Sequence, residues 1–131
     1  MKASIARLFD LAGRAALVTG GSSGIGRAIA GVLADAGAQV VIAARQRQRV
    51  EQAVRELVAE GGMAEAETVD VADRGSIAAL LRRLDDAGRT IDILVNSAGS
   101  NLRMPFEAIR DEDWDATLAA NLTEPFLLTR A

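Results

Sequence analysis

The 131-residue sequence predicts a three-layer α/β fold, a parallel sheet in the order 3-2-1-4 with helices on both faces. Three observations carry that prediction. Short apolar runs alternate with stretches of helical periodicity as βαβαβαβα, and such alternation with short connections means parallel strands joined by right-handed crossovers. A glycine-rich stretch, Thr19-Gly20-Gly21-Ser22-Ser23-Gly24-Ile25-Gly26, stands between the first strand and the first helix. Ser22, Arg45, Asp70 and Asn96 fall at or just after carboxyl ends of strands, where open α/β sheets bind ligands.

The elements follow in order. Ala15-Ala16-Leu17-Val18 is the first strand. After the glycine turn, Ile25, Ala28, Ile29, Val32 and Leu33 repeat at three and four, the spacing of a helix face packed on a sheet, and Gly37 stops that helix. Val40-Val41-Ile42-Ala43 is continuously apolar, as expected of a parallel strand buried on both faces. Val50, Val54, Leu57 and Val58 mark a second helix ended by Gly61-Gly62. A weaker strand runs from Met63 to Val69. Asp73 or Ser76 can cap the third helix, whose apolar face is Ile77, Leu80, Leu81 and Leu84, with Gly88 beyond its end. Ile91 to Val95 is the fourth strand. A loop containing Pro105 leads to a last helix beginning near Asp111, with Trp114, Leu118 and Leu122 on one face.

Composition narrows the chemistry. Cysteine and histidine are absent, which removes disulfides, thiolate and imidazole chemistry and the common zinc ligands. Tyrosine is absent as well, and Lys2 is the only lysine. The 15 basic and 18 acidic residues are mixed along the chain, with no basic face for nucleic acid and no polybasic run for a membrane surface. Met1 to Gly13 carries Lys2, Arg7 and Asp10 and does not read as a secretory signal. No stretch approaches the roughly 20 apolar residues that span a bilayer. A cytoplasmic location is the default expectation.

The glycine turn has a physical use. Glycines allow positive φ and carry no Cβ, so the backbone can press against a phosphate, while the next helix offers unpaired N–H groups and its positive dipole end. A tight turn without a ligand is the alternative. The residues beyond it resemble those of the short-chain dehydrogenases/reductases. Thr19 to Gly26 is similar to that family's TGxxxGIG cofactor motif, Asp70-Val71 to its adenine-contacting pair, and Asn96-Ser97-Ala98-Gly99 to its NNAG motif with serine in second place. Asn121 falls where the family has the asparagine of its catalytic tetrad. The opening Leu8 to Leu11 and the last helix are weakly similar to gluconate and sugar-alcohol dehydrogenases. The resemblance runs from about Phe9 to Ala131 and implies a Rossmann fold.

It also implies site roles. Gly20, Ser22, Ser23, Gly24, Ile25 and Gly26 would meet the pyrophosphate, with Gly26 also permitting close helix–sheet packing. Asp70 and Val71 would meet the adenine; Asp70 can equally be a turn or helix cap. Asn96, Ala98 and Gly99 would border the cofactor, and Asn96 can instead be a sheet-end hydrogen-bonding residue. Ser100, Asn101 and Arg103 could border a substrate pocket. Users of NAD place an acidic residue at the end of the second strand, but this sequence has Ala44 followed by Arg45. A guanidinium there can grip a 2′-phosphate, so NADP(H) is expected over NAD(H); a solvated loop arginine is the other reading.

Pro125 lies four residues after Asn121. Lacking an N–H, it deprives the Asn121 carbonyl of its usual partner, so the helix should distort there. The alternative is that Pro125 ends the helix. In the family, the resemblance implies, this carbonyl holds a water of the proton relay.

The family's hydride transfer uses a Ser…Tyr-x-x-x-Lys set that has no match here. Residues 1–131 are therefore expected to be the amino-terminal, cofactor-binding portion of a single domain, truncated after the fourth helix and inactive alone. The parent would be an oxidoreductase of carbonyl or alcohol substrates and a homo-oligomer. A non-catalytic dinucleotide-binding or regulatory module is the competing class. A methyltransferase lacks support because the second strand has no acidic residue for its cofactor ribose. A phosphoacceptor receiver would need an acidic pair after the first strand, and none is there.

Overall fold

In a computed structural model that describes residues 7–131, β1 (Ala15–Thr19), β2 (Gln39–Ala44), β3 (Met63–Thr68) and β4 (Ile93–Asn96) form one sheet. All pairs are parallel and the order is β3-β2-β1-β4, as the crossovers predict. Lys2 and the beginning of the Met1–Gly13 stretch lie outside the described residues. Three helices connect the strands: α1 (Gly24–Asp35), α2 (Arg47–Ala59) and α3 (Arg74–Asp86).

Two cores sandwich the sheet. Ala16, Val18, Val40 and Ile42 meet Ala30 and Ala34 of α1 and Val50, Ala53 and Leu57 of α2. Leu17, Val41 and Ala43 face the other way, against Ile77, Leu80 and Leu84 of α3 and Leu128. The alternation follows from the two-residue period of a strand, and burial of both faces explains why Val40 to Ala43 has no polar member. β3 is an outer strand and carries charge: Glu65 pairs with Arg89 and Glu67 with Arg83. Charges of this kind discourage edge-to-edge association.

Two expectations need correction. The sheet-facing side of α1 is Gly26, Ala30 and Ala34, whereas Ile25 and Val32 are exposed. Small residues at a spacing of four let the helix lie close to the sheet, and this displaces the larger side chains to its flanks. β4 begins at Ile93 instead of Ile91. The Asp92 N–H donates to the Ala15 carbonyl at 2.9 Å, and its carboxylate accepts the Ala15 N–H at 3.0 Å and Arg14 at 2.9 Å. Asp92 thus pins the start of β1 from outside the regular ladder.

The last helical stretch has three parts: α4 (Asp111–Leu118), a π-turn (Ala119–Thr123) and α5 (Glu124–Arg130). Distortion before Pro125 takes the form of this wide turn, in which the Glu124 N–H reaches back five residues to the Ala119 carbonyl. The helix does not end at Pro125 but continues to Arg130. In a straight α-helix a spacing of four gains about 40° per step. A π-turn takes back part of that drift, and Ala120, Glu124 and Leu128 are all buried. Trp114, Leu118 and Leu122 lie on the opposite, exposed side.

Candidate cofactor site

A cleft of about 500 Å³ opens at the carboxyl ends of the strands, where the winding reverses between β1 and β4. It gathers Gly20, Ser22, Ser23, Ile25 and Gly26 from the glycine turn, Arg45 after β2, Asp70 and Val71 after β3, and Ala98 and Gly99 after β4. Four segments distant in sequence thus meet at one site because parallel strands deliver their carboxyl ends to one edge. Ala44, Gln46, Arg49, Val69, Ala72, Ser97, Ser100, Ala116 and Ala120 complete the lining. Arg49 gives no signal of its own in the sequence. It reaches the cleft because it lies in the first turn of α2, directly after the Arg45 corner.

The glycine turn is shaped for close approach. Gly20 and Gly24 have φ of 65° and 55°, values open to glycine and costly for other residues. A Cβ on Gly26 would stand 2.4 Å from the Gly20 carbonyl oxygen, and one on Gly20 would stand 2.8 Å from the Ala98 backbone. Gly24 does not line the cleft itself; it sets the turn that starts α1. Ser23 occupies the N-cap but its side chain makes no capping bond, and no acidic residue lies in the first turn. The first N–H groups of α1 therefore face the cleft side without a competing side-chain acceptor, which suits a phosphate.

Arg45 and Arg49 are exposed at the mouth, and neither is in an ion pair among the described residues. Asp70 serves as the turn residue and also faces the cleft. Its Oδ1 accepts the Ala72 N–H at 3.0 Å, closing a local turn, while the residue lines the cleft. Asp73 caps α3 by accepting the Gly75 N–H at 2.8 Å, and Ser76 Oγ instead accepts the Asp70 N–H at 2.9 Å. Both choices fix the corner that presents Asp70 and Val71.

Asn96 and Asn121 stand outside the lining. The Asn96 side-chain amide donates to Thr129 Oγ1 at 3.5 Å, which fits a sheet-end role. Asn121 Oδ1 accepts the Ser100 N–H at 3.0 Å and its Nδ2 donates to the Ser100 carbonyl at 2.7 Å. That staple ties the loop after β4 to the π-turn. A Cβ on Gly99 would stand 2.6 Å from Asn121 Oδ1, so glycine at 99 makes room for the staple.

Fold and cleft together define an α/β protein with a parallel β3-β2-β1-β4 sheet and a ligand-sized cleft at the carboxyl ends of its strands. The sequence profile of the short chain dehydrogenases matches residues 14–131, and the chain belongs to that family. It is 40% identical over 123 residues to the D-threitol dehydrogenase of Mycolicibacterium smegmatis, covering 94% of this chain and 47% of that protein. A metagenomic short-chain oxidoreductase solved in complex with NADP superposes with a TM-score of 0.84 at 43% identity, over 92% of this chain and 55% of the other. A gluconate 5-dehydrogenase from Burkholderia cenocepacia, solved with NADP and tartrate, gives 0.86 at 36% identity, over 96% and 49%. The chain spans about half the length of these relatives. No helix among the described residues is long and apolar enough to cross a membrane.

Proposed function

We propose that residues 1–131 form the cofactor-binding portion of a single-domain oxidoreductase and hold NADP(H), in preference to NAD(H), in the cleft. The observation that carries the proposal is the meeting of the uncapped first turn of α1 with the unpaired Arg45 guanidinium across one cleft. When bound, such a cofactor would supply hydride chemistry for a carbonyl or alcohol carbon. The chain's own contributions are to bind and orient. Gly20, Ser22, Ser23, Gly24, Ile25 and Gly26 would seat the pyrophosphate, Asp70 and Val71 would border the adenine, and Ala98 and Gly99 would border the cofactor from the loop after β4. Asn96 braces the end of β4. Asn121 is the one member of a catalytic set this sequence supplies, and it acts by holding the loop at Ser100.

Turnover needs a tuned general acid/base. The family's tyrosine has no counterpart in this sequence, so these residues are expected to bind without turning over. In the parent protein we place a small carbonyl or alcohol substrate and a homo-oligomeric assembly in the cytoplasm, with neither nucleic acid nor membrane as partner.

Arg45 is the point of test. Charge-assisted bonds from a guanidinium to a 2′-phosphate are worth about 1.5–3 kcal/mol, one to two decades of affinity. Titration of NADP+ and NAD+ into the wild-type protein and Arg45→Asp is expected to show the preference for NADP+ lost in the variant. An unchanged preference refutes the assignment. A cooperative melt raised by NADPH, with no turnover even in the complete parent protein, would instead favour a regulatory module.

A further inference from the structure

Glu124 takes no part in that scheme, yet it is completely buried, directly after the π-turn, one step of four beyond the cleft-lining Ala120. Among the described residues neither Oε1 nor Oε2 has a hydrogen-bond partner. An ionised carboxylate left so is among the costliest groups to bury. Desolvation pushes the Glu124 carboxyl above its usual range, and the Thr19 hydroxyl acts in the opposite direction. No charged side chain acts on it. β1, β4 and residues 97–100 contain no ionisable side chain. Among the described residues, neither the charged residues of α3 (Arg74, Arg82, Arg83, Asp85 and Asp86) nor those of α4 nor Arg130 on its own helix bonds or ion-pairs with it.

Thr19, itself fully buried, is the junction. Its Oγ1 accepts the Ala98 N–H at 3.3 Å and donates to the Val95 carbonyl at 3.5 Å. A hydroxyl has one proton to give and two lone pairs to fill. With Ala98 on one lone pair and Val95 taking the proton, one acceptor position remains. A neutral carboxyl offers the matching O–H. An ionised one is acceptor-only: it would compete with Val95 for the Thr19 proton and leave its remaining lone pairs unanswered in the core. Protonation removes a charge that the core would otherwise hold unpaired, and it turns one acceptor into a donor for the Thr19 oxygen.

We propose that Glu124 is a positioning residue of the cleft, donating an O–H to Thr19 Oγ1 and so locking the Val95–Ala98 segment against β1. The loop after β4 is then held twice from one helical stretch, by Asn121 on Ser100 and by Glu124 through Thr19 on Ala98. Loss of the Glu124 proton loosens the wall against which Gly20 packs, and ligand binding at that wall favours the protonated form. This last consequence rests on the cleft being the NADP(H) site.

The test is an NMR pH titration of the full chain with carboxyl-13C glutamate and 15N backbone labels. One glutamate carboxyl, missing in Glu124→Gln, is expected to titrate above the ordinary value of about 4.3. The Ala98 amide is expected to follow the same midpoint in wild type and to lose that step in Glu124→Gln. Thr19→Val, which removes the junction, should abolish the Ala98 response while Glu124 still titrates, so the link is tested even if one variant folds poorly. Adding NADP+ should raise the Glu124 midpoint, and its dissociation constant should increase with pH by up to about tenfold per unit relative to Glu124→Gln. A Glu124 titrating at the ordinary value, or an Ala98 step that persists in the variants, overturns the proposal. If Ala98 follows Glu124 but NADP+ does not bind, the junction stands and the cofactor assignment falls.

Discussion

Gly26 and Gly31 lie five residues apart on α1, and the same substitution should have opposite effects at the two. A Cβ at Gly26 would stand 2.4 Å from the Gly20 oxygen, 2.9 Å from the Gly20 carbonyl carbon and 3.1 Å from Ser97 Oγ. Real Cβ contacts do not fall below 3.0 Å, so helix or turn must shift by about 0.6 Å, and the nearest atoms are backbone. Overpacking of this kind costs about 1–3 kcal/mol, against which a first-turn position recovers little helix propensity. At Gly31 the nearest neighbours are the end of the Arg27 side chain at 3.3 Å and Leu57 Cδ2 at 3.8 Å, so the methyl is accommodated by a shift of a few tenths of an ångström at the flexible guanidinium. There, Gly→Ala gains about 0.8–1 kcal/mol of helix propensity. Each kcal/mol moves the melting temperature of a domain this size by roughly 3–5 °C. Gly26→Ala should therefore melt several degrees below wild type and lose NADPH affinity, and Gly31→Ala should melt several degrees above with affinity unchanged. Thermal melts with and without NADPH read both. Shifts of the same sign, or full cofactor affinity in Gly26→Ala, would refute the close-approach argument.

Asn121→Ala removes both bonds to the Ser100 backbone, each worth about 0.5–1.5 kcal/mol. The Ser100 amide should exchange several-fold faster with solvent and NADPH should bind more weakly, while the melting temperature falls only slightly. Asp92 gives a pH signature. The Ala15 N–H, then the Arg14 side chain, lowers its carboxyl below the usual 3.8. Its contribution to stability is therefore complete above that value and is lost as the pH falls through the lower folded value. Asp92→Asn should reduce the loss of melting temperature on acidification, and calorimetry across the acid range checks this.

Features that rest on period and punctuation were readable before any coordinates. The alternating runs and stop glycines give the four strands and the three helices that connect them, and the sheet order follows from crossover handedness. Ile25 and Val32 mislead because a hydrophobic count rewards bulk, whereas Gly26, Ala30 and Ala34 are chosen for closeness. The cleft residues Gly20, Arg45, Asp70 and Ala98 were legible because parallel strands send their carboxyl ends to one edge. Arg49 was not, since a charged residue in a first turn looks like any solvated one. Pro125 announced a distortion, but whether a kink, a stop or a wide turn answers it depends on the packing of Ala120 and Leu128. Glu124 gave no warning at all: it sits in a helical run, and only the phase set by the π-turn turns it inward.

The topology also orders assembly in time. Ala15 pairs with Gln39 across a short crossover, whereas Ile93 of β4 returns to Ala16 across 77 residues. Closing the longer loop costs about 1 kcal/mol more in chain entropy, so β1, β2 and β3 are placed to nucleate and β4 to dock late. One wall of the cleft, the glycine turn, belongs to the early unit; the other, Ser97 to Ser100, arrives with the late one. A ligand seated between them clamps a contact absent from the folding nucleus. It should accordingly slow unfolding much more than it speeds folding, so that the bound protein gains lifetime as well as equilibrium stability.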